Sequence, residues 1–324
     1  MKLPFEKIER KIAIKREAET DSRYGCRPEK RSVEKILEYG IVNLNKPSGP
    51  TSHQVSDYVK KILKVQKAGH SGTLDPNVSG VLPIAIGRAT KIVQVLLTAG
   101  KEYVSIIHLH SEIKEDKIRE VLNEFIGKIM QLPPIKSSVK RQLREREIYY
   151  IEILEISGRD ILLKIGCQAG TYIRKYAHDL GEKLGTGAHM AELVRTKAGP
   201  FNYENWVTLQ ELKDAFEMKD EKAIRRAIQP VENGVGHLPK LWIIDTAVDT
   251  ISHGAALSVP GVVKLHDNIN QGDIVAIMTL KDELVAIGEA QMNSQNILAQ
   301  SRGIVATKLR VFMQAGIYPK FVRK

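Results

Sequence analysis

Three glycines, one proline and a single carboxylate share the twelve residues Gly69-His70-Ser71-Gly72-Thr73-Leu74-Asp75-Pro76-Asn77-Val78-Ser79-Gly80. Glycine admits left-handed backbone angles and lets a chain approach a ligand closely. Pro76 biases Asp75 away from helical geometry. A lone acid on a constrained backbone suits a nucleophile or an acid/base group. The same residues also describe an ordinary Asp-Pro turn with a solvated carboxylate. Lys136, Lys140, Arg141, Arg144 and Arg146 form the densest basic run in the middle of the chain. Such a run is first a solvated face, and against a polyanion it would act electrostatically and in a salt-dependent way. His108 and His110 alternate along one strand face, where ordinary strand histidines are a simpler reading than metal ligands. Two cysteines, Cys26 and Cys167, without a CxxC pair, argue against a disulfide framework or a zinc-thiolate centre. Neither a metal nor a cofactor is expected.

A chain of 324 residues has room for two domains, and 43% hydrophobic residues allow an ordinary core. The net charge of +11 points to a polyanionic partner or an acidic surface, without separating RNA, DNA and membrane. No apolar run is long enough to span a bilayer. Met1–Lys30 is dense in Lys, Arg and Glu and has no signal-peptide core, so a cytoplasmic protein is expected.

The elements that must position these residues follow from periodicity. Ile41–Leu44 reads as a short buried strand leading into the Lys46–Pro50 loop. Thr51 and Gln54 form a capping-box pattern ahead of Val55, Tyr58, Val59 and Ile62 at helical spacing. A helix is expected over Lys91–Leu97 and a strand over Lys101–His110, with Tyr103, Ile107 and Leu109 on one face. Ile118, Val121, Leu122, Phe125 and Ile126 mark an amphipathic helix closed by Gly127. Ile148–Ile156 and Ile161–Cys167 flank a Ser-Gly-Arg-Asp hairpin signal. Thr171 is placed to cap a helix whose stripe is Ile173, Tyr176, Ala177, Leu180 and Leu184. Helices and strands interleave without strict alternation, which favours an α+β fold with a mixed or antiparallel sheet. Near Gln229–Pro239 the composition shifts to a linker. Beyond it, short β-type runs at Leu241–Ile244, Val262–Leu265, Asp273–Met278 and Leu284–Ile287 suggest a small β-barrel.

Gly69–Gly80, followed by Val81-Leu82-Pro83-Ile84-Ala85-Ile86-Gly87-Arg88-Ala89-Thr90-Lys91, resembles the active-site signature of the TruB family of RNA pseudouridine synthases. Leu44–Ser52 resembles that family's upstream Lys-Pro motif. Lys101-Glu102-Tyr103 is similar to its tyrosine strand, and Gly170-Thr171-Tyr172-Ile173-Arg174 to its arginine block. His253–Leu257 with Pro260-Gly261-Val262 resembles a PUA domain, an RNA-binding module. The resemblance implies an enzyme that breaks the uracil N1–ribose bond and rejoins the base through C5. It implies Asp75 as nucleophile, Arg174 as its ionic partner and Tyr103 as the group that stacks on the extruded uracil and assists C5 deprotonation. His70 would position RNA, and Leu193 would form an apolar wall. Val194 stands where relatives often carry an arginine, which puts a phosphate contact there in doubt. Lys46 would contact phosphate or order the loop. Lys140 and Arg141 would touch the RNA backbone, and Gly254 would bring backbone close to RNA. Apart from the resemblance, Arg174 reads equally as a surface arginine and Tyr103 as a core tyrosine.

The sizeable insertion that stand-alone bacterial relatives carry after the tyrosine strand is missing. The charged N-terminal extension resembles that of the dyskerin-like, archaeal-type catalytic subunit of H/ACA ribonucleoproteins. The implied partners are an H/ACA guide RNA, substrate rRNA or tRNA, and small H/ACA accessory proteins, with no membrane. The implied organisation is an extension over 1–35, a catalytic domain over 36–235 and a PUA domain over 236–324. Two rival readings stay open: a guide-independent tRNA pseudouridine synthase, and an RNA-binding scaffold without catalysis.

Overall fold

Period-two burial organises the first unit of the fold. Along the strand Lys101–Leu109, Tyr103, Ser105, Ile107 and Leu109 share a face, and Ile107 and Leu109 are fully buried. The computed structural model describes residues 1–133 and 140–320. Among these, the strand order of a mixed sheet runs Gly40–Lys46, Ser79–Ile86, Ala188–Ala198, Lys101–Leu109, Asp160–Cys167, Arg144–Ser157, Gly127–Gln131. Lys101–Leu109 is antiparallel to both its neighbours. Ser79–Ile86 runs parallel to Ala188–Ala198, with Gly80 opposite Arg195. The hairpin foreseen at Ser157–Asp160 closes there, with Gly158 at φ +58°.

Helices Glu115–Glu124 and Ile173–Leu184 lay their apolar stripes on this sheet. Ile118, Val121 and Leu122 from one, and Ile173, Tyr176, Ala177, Leu180 and Leu184 from the other, join Ile161, Leu163 and Ile165 in one core. The Thr51/Gln54 capping box forms at the head of helix Ser52–Ile62. Thr171, by contrast, caps nothing. Tyr172 occupies the cap position without a side-chain bond, and the Thr171 hydroxyl donates to the Gln168 carbonyl at 2.8 Å. Ile126 lies beyond its helix and is exposed, because the chain turns at Gly127, φ +102°, straight into a strand. The helix expected over Lys91–Leu97 is divided between a 3-10 turn, Gly87–Ile92, and a short helix, Val93–Thr98.

Compact units do not follow chain order. The first comprises residues 1–7, 42–84 and 93–227; the second comprises 8–41, 85–92 and 228–324. The second holds a sheet in the order Ile12–Ile14, Val262–His266, Lys240–Ile243, Ile274–Thr279, Leu284–Ala290, Ile304–Val311, Leu257–Ser258. Its core is built on Leu241, Ile243, Leu265, Val275, Ile277, Val285 and Val305. Part of the charged N-terminal stretch is woven into this unit. Ile12–Ile14 pairs antiparallel with Lys264–His266, and Arg31 makes a two-pronged ion pair with Glu232 at 2.8 and 2.9 Å. No helix among the described residues is long and apolar enough to cross a membrane.

Gly181 offers a test of how tightly helix and sheet are seated. Replacing a helix-interior glycine by alanine normally favours the helix by about 1 kcal/mol. At Gly181 the added Cβ would fall 2.1 Å from the Ala188 amide nitrogen. Gly181→Ala should therefore destabilise the protein by about 2 kcal/mol, the cost of overpacking. Urea unfolding measures this, and an unchanged or higher midpoint would contradict the packing described.

Candidate active site

The Asp75 loop is pinned from below. Lys46, at the end of its strand and fully buried, donates to the carbonyls of Pro47 at 2.9 Å, Pro76 at 2.9 Å and Val78 at 2.8 Å. Ser52, first residue of its helix, accepts from the Leu74 amide at 2.9 Å and donates to the Leu74 carbonyl at 3.1 Å. The Gly49 amide donates to the Pro76 carbonyl at 2.9 Å. Gly80 takes φ +108° and is crossed so closely by the Arg195 backbone that a Cβ would lie 2.2 Å from its carbonyl oxygen. The Lys46 ammonium thus spends all three N–H groups on main-chain oxygens. Of the two roles open to Lys46, phosphate contact and loop ordering, this bonding favours loop ordering, because all three N–H groups are engaged and the side chain is fully buried.

On this platform Asp75 meets Arg174. The carboxylate Oδ2 lies 2.5 Å from Nη2 of the guanidinium, joining residues 99 positions apart. Arg174 reaches the loop from the first turn of helix Ile173–Leu184. Both side chains are more than half exposed, 54% and 59%, so the pair faces solvent and is accessible to a ligand.

Tyr103 lies partly buried on the neighbouring strand face. In register it stands opposite Arg195, which is 1% exposed. Arg195 Nε donates to the Val81 carbonyl at 2.7 Å and Nη2 to the Gly72 carbonyl at 3.2 Å. Burial pushes the Tyr103 phenol up, and the adjacent Arg195 guanidinium draws it back. Lys101, also buried, gives its protons to the carbonyls of Leu96, Leu97 and Ala99 at 2.8, 3.0 and 2.6 Å. Burial first and Arg195 second lower Lys101 to about 7. Lys46 is lowered by the same two influences, with Asp75 acting in the opposite sense. Sequence reading missed Arg195. One arginine inside a mixed strand carries no local signal, and only its pairing with both Gly80 and Tyr103 reveals its place.

His70 sits at the loop entrance, its ring 4.9 Å from that of His53 in edge contact. Its buried Nδ1 has no partner among the described residues. Desolvation, then His53 and Arg195, depress it to about 4, so the ring is neutral near pH 7. Leu193 pairs with Ser105 across the sheet and packs on the first core. Val194, opposite Val104 and Ser79, is partly buried. Lys140 and Arg141 are exposed, while Lys136 lies outside the described residues. Gly254, in the second unit, is exposed at φ +90° with open space where a Cβ would stand. His108 bonds Asp160 at 2.7 Å, and His110 bonds His189 at 3.0 Å. Among the described residues no group of three or more His, Cys, Asp or Glu side chains could hold a metal ion.

Comparison with known proteins matches four family models along the chain. The N-terminal domain of TruB family pseudouridylate synthases matches residues 60–173, and the C-terminal domain of tRNA pseudouridylate synthase B matches 174–236. A PUA domain matches 239–312 and a DKCLD domain matches 1–56. A probable tRNA pseudouridine synthase B of Methanopyrus kandleri is 54% identical over 323 residues, covering 98% of this chain and 95% of that protein. Its counterpart in Pyrococcus horikoshii is 56% identical over 319 residues, covering 97% and 96%. A chain in a crystal structure of a Cbf5–Nop10–Gar1 complex superposes with TM-score 0.93 at 53% identity, over 98% of both chains. A chain from an H/ACA ribonucleoprotein bound to a substrate RNA containing 2'-deoxyuridine gives TM-score 0.93 at 52% identity, over 98% of this chain and 99% of that one.

The depressed His70 gives a pH test. The folded protein resists protonating this ring, while the unfolded chain takes up the proton near its ordinary value of 6.5. Stability from this source is complete above that value and is lost as pH falls from 6.5 to about 4. His70→Gln should flatten that part of the melting-temperature profile and leave the profile above pH 7 parallel to wild type. Parallel profiles throughout would show that the ring is not held neutral.

Proposed function

The chain belongs to the TruB family of RNA pseudouridine synthases and isomerises uridine to pseudouridine; from that premise we propose how its residues divide the work. Asp75 is the nucleophile, and Arg174 holds and aims its carboxylate. Tyr103 stacks on the extruded uracil, and its oxygen takes the C5 proton. Extrusion costs a few kcal/mol, and stacking on an aromatic ring returns about 1–3 kcal/mol per base, so one tyrosine can largely offset it. Neutral His70 positions the flipped nucleotide by hydrogen bonding, and Leu193 lines the pocket. The observation that carries this reading is the 2.5 Å contact between Asp75 and Arg174, built on a loop tied down by Lys46 and Ser52.

The target uridine is delivered by an H/ACA guide RNA, with small accessory proteins bound to the enzyme, in the cytoplasm. Support comes from the likeness to chains of H/ACA assemblies, which extends over 98% of this chain. Residues 36–235 carry the reaction. Residues 236–324 hold the guide, with Gly254 letting backbone N–H groups approach phosphate and sugar. Lys140 and Arg141 attract the RNA backbone. A second reading, direct action on tRNA, is favoured by relatives designated tRNA pseudouridine synthase B. Localising the reaction at Asp75 weighs against a non-catalytic scaffold.

Asp75→Asn should lower single-turnover pseudouridine formation by at least about 10⁴-fold while filter-retained RNA stays near wild type. Arg174→Ala should cost about 10²- to 10³-fold, and Arg174→Lys should recover part of that, since lysine lacks the planar fork. Substantial turnover by Asp75→Asn would remove the nucleophile assignment. Assays with and without guide RNA separate the two readings: strong dependence is expected, and full activity on free tRNA alone would favour the second. Gly254→Val should weaken guide binding with little change in Asp75-dependent chemistry. Unchanged guide affinity would withdraw Gly254 from the anchoring surface.

A further inference from the structure

Among the described residues Arg195 makes no hydrogen bond or ion pair with Asp75 or Arg174, yet it links the nucleophile loop to the tyrosine strand. Its own strand runs alongside both, with Gly80 in register on one side and Tyr103 on the other. Directly opposed residues of neighbouring antiparallel strands carry Cβ atoms about 5 Å apart. The guanidinium is therefore delivered to the tyrosine by sheet register rather than by a flexible loop. Two of its five N–H groups are committed, to the carbonyls of Val81 and Gly72. Those bonds fix the plane of the fork.

The charge balance is unusual. Arg195 is 1% exposed, and no carboxylate pairs with it among the described residues. A buried guanidinium without an anion is costly. It becomes useful where a neighbouring group must carry negative charge before it can act as a base. The neighbouring group that can become an anion is the Tyr103 oxygen, on whose ionisation Arg195 acts directly.

We propose that Arg195 is a positioning residue for the C5 proton transfer, holding the Tyr103 oxygen in place and serving as its counter-cation. This rests on the reading of Tyr103 as the group that takes the C5 proton. That step starts once the Tyr103 phenol has given its own proton to water and Arg195 faces the resulting phenolate; the C5–H bond then breaks and its proton passes to the phenolate oxygen, restoring the phenol. The C5–H electron pair forms the C5=C6 double bond, and N1 recovers the pair of the N1=C6 bond and takes a proton from water. No oxidant or further reactant is required. Because Arg195 also binds the Gly72 carbonyl, one side chain sets the distance between the nucleophile loop and the proton acceptor.

The test uses the full chain in its guided complex and RNA carrying 5-deuterouridine at the target. Single-turnover rates against pH are measured for wild type, Tyr103→Phe, Arg195→Lys and the double variant. Arg195→Lys should slow the reaction by about 10- to 100-fold, within the range of a general-base contribution. It should also expose a primary deuterium isotope effect larger than that of wild type and move the acid limb of the profile to higher pH. In the Tyr103→Phe background the same change should cost little more. Slowing without an isotope effect, or losses that multiply in the double variant, would show a merely structural role and overturn the proposal. Wild-type speed in Tyr103→Phe would instead remove the reading of Tyr103 itself. Should Arg195→Lys fail to fold, canavanine placed at position 195 by semisynthesis keeps the shape and the donors but loses its charge near neutral pH. The isotope effect should then emerge above neutral pH, and its absence would equally overturn the proposal.

Discussion

An exposed carboxylate in a glycine-rich loop has no intrinsic reason to stay in one place, and everything at this site depends on its doing so. The ion pair with Arg174 cannot supply that rigidity alone. Both partners are more than half exposed, and a pair so open to water and salt contributes little to holding a backbone. The restraint comes from beneath. Lys46 ties Pro47, Pro76 and Val78 together through one ammonium group, Ser52 grips both backbone groups of Leu74, and Arg195 binds Gly72 and Val81. Each of these bonds ends on main-chain oxygen or nitrogen, so they set the path of the chain. Asp75 is aimed by main-chain bonds to the residues on either side of it.

This arrangement has a cost in stability. Lys46, Lys101 and Arg195 are buried basic groups satisfied by carbonyls, with no carboxylate paired to them among the described residues. A well-packed apolar floor would be more stable. Burial lowers all three, and Lys101 and Lys46 feel Arg195 as well. Such a floor attracts negative charge from above: the Asp75 carboxylate in the resting enzyme, and the RNA that the net charge of +11 draws towards the molecule. The balance makes sense for a protein that must hold one exposed carboxylate in place.

What was legible in the sequence was local. The Asp75 loop announced itself through glycine spacing and Pro76. The capping box at Thr51 and Gln54 needed only three residues of separation, and the Ile173–Leu184 stripe needed only its helical period. The face shared by Tyr103, Ile107 and Leu109 followed from alternation. The features that escaped depend on register or on distant chain. Arg195 has meaning only through its neighbours on two other strands. The sequence left Lys46 open between phosphate contact and loop ordering, because lysines are rarely buried, and only the fold shows its carbonyl cage. The strand Ile12–Ile14 is three residues long in a charged stretch, and its edge partner lies about 250 positions away. Thr171 had the right chemistry for a cap, but its hydroxyl turned back to Gln168, leaving the cap to Tyr172.

The central claim, that buried cations beneath the loop position Asp75, is tested most directly at Lys46, which in this arrangement has no donor left for RNA. Hydrogen exchange of the amides in residues 72–80 and kcat on a guided substrate should be measured together for wild type and Lys46→Met. The account predicts faster exchange across the loop, a large fall in kcat, and RNA affinity close to wild type. A folded Lys46→Met enzyme with a fast-exchanging loop and undiminished kcat would contradict it.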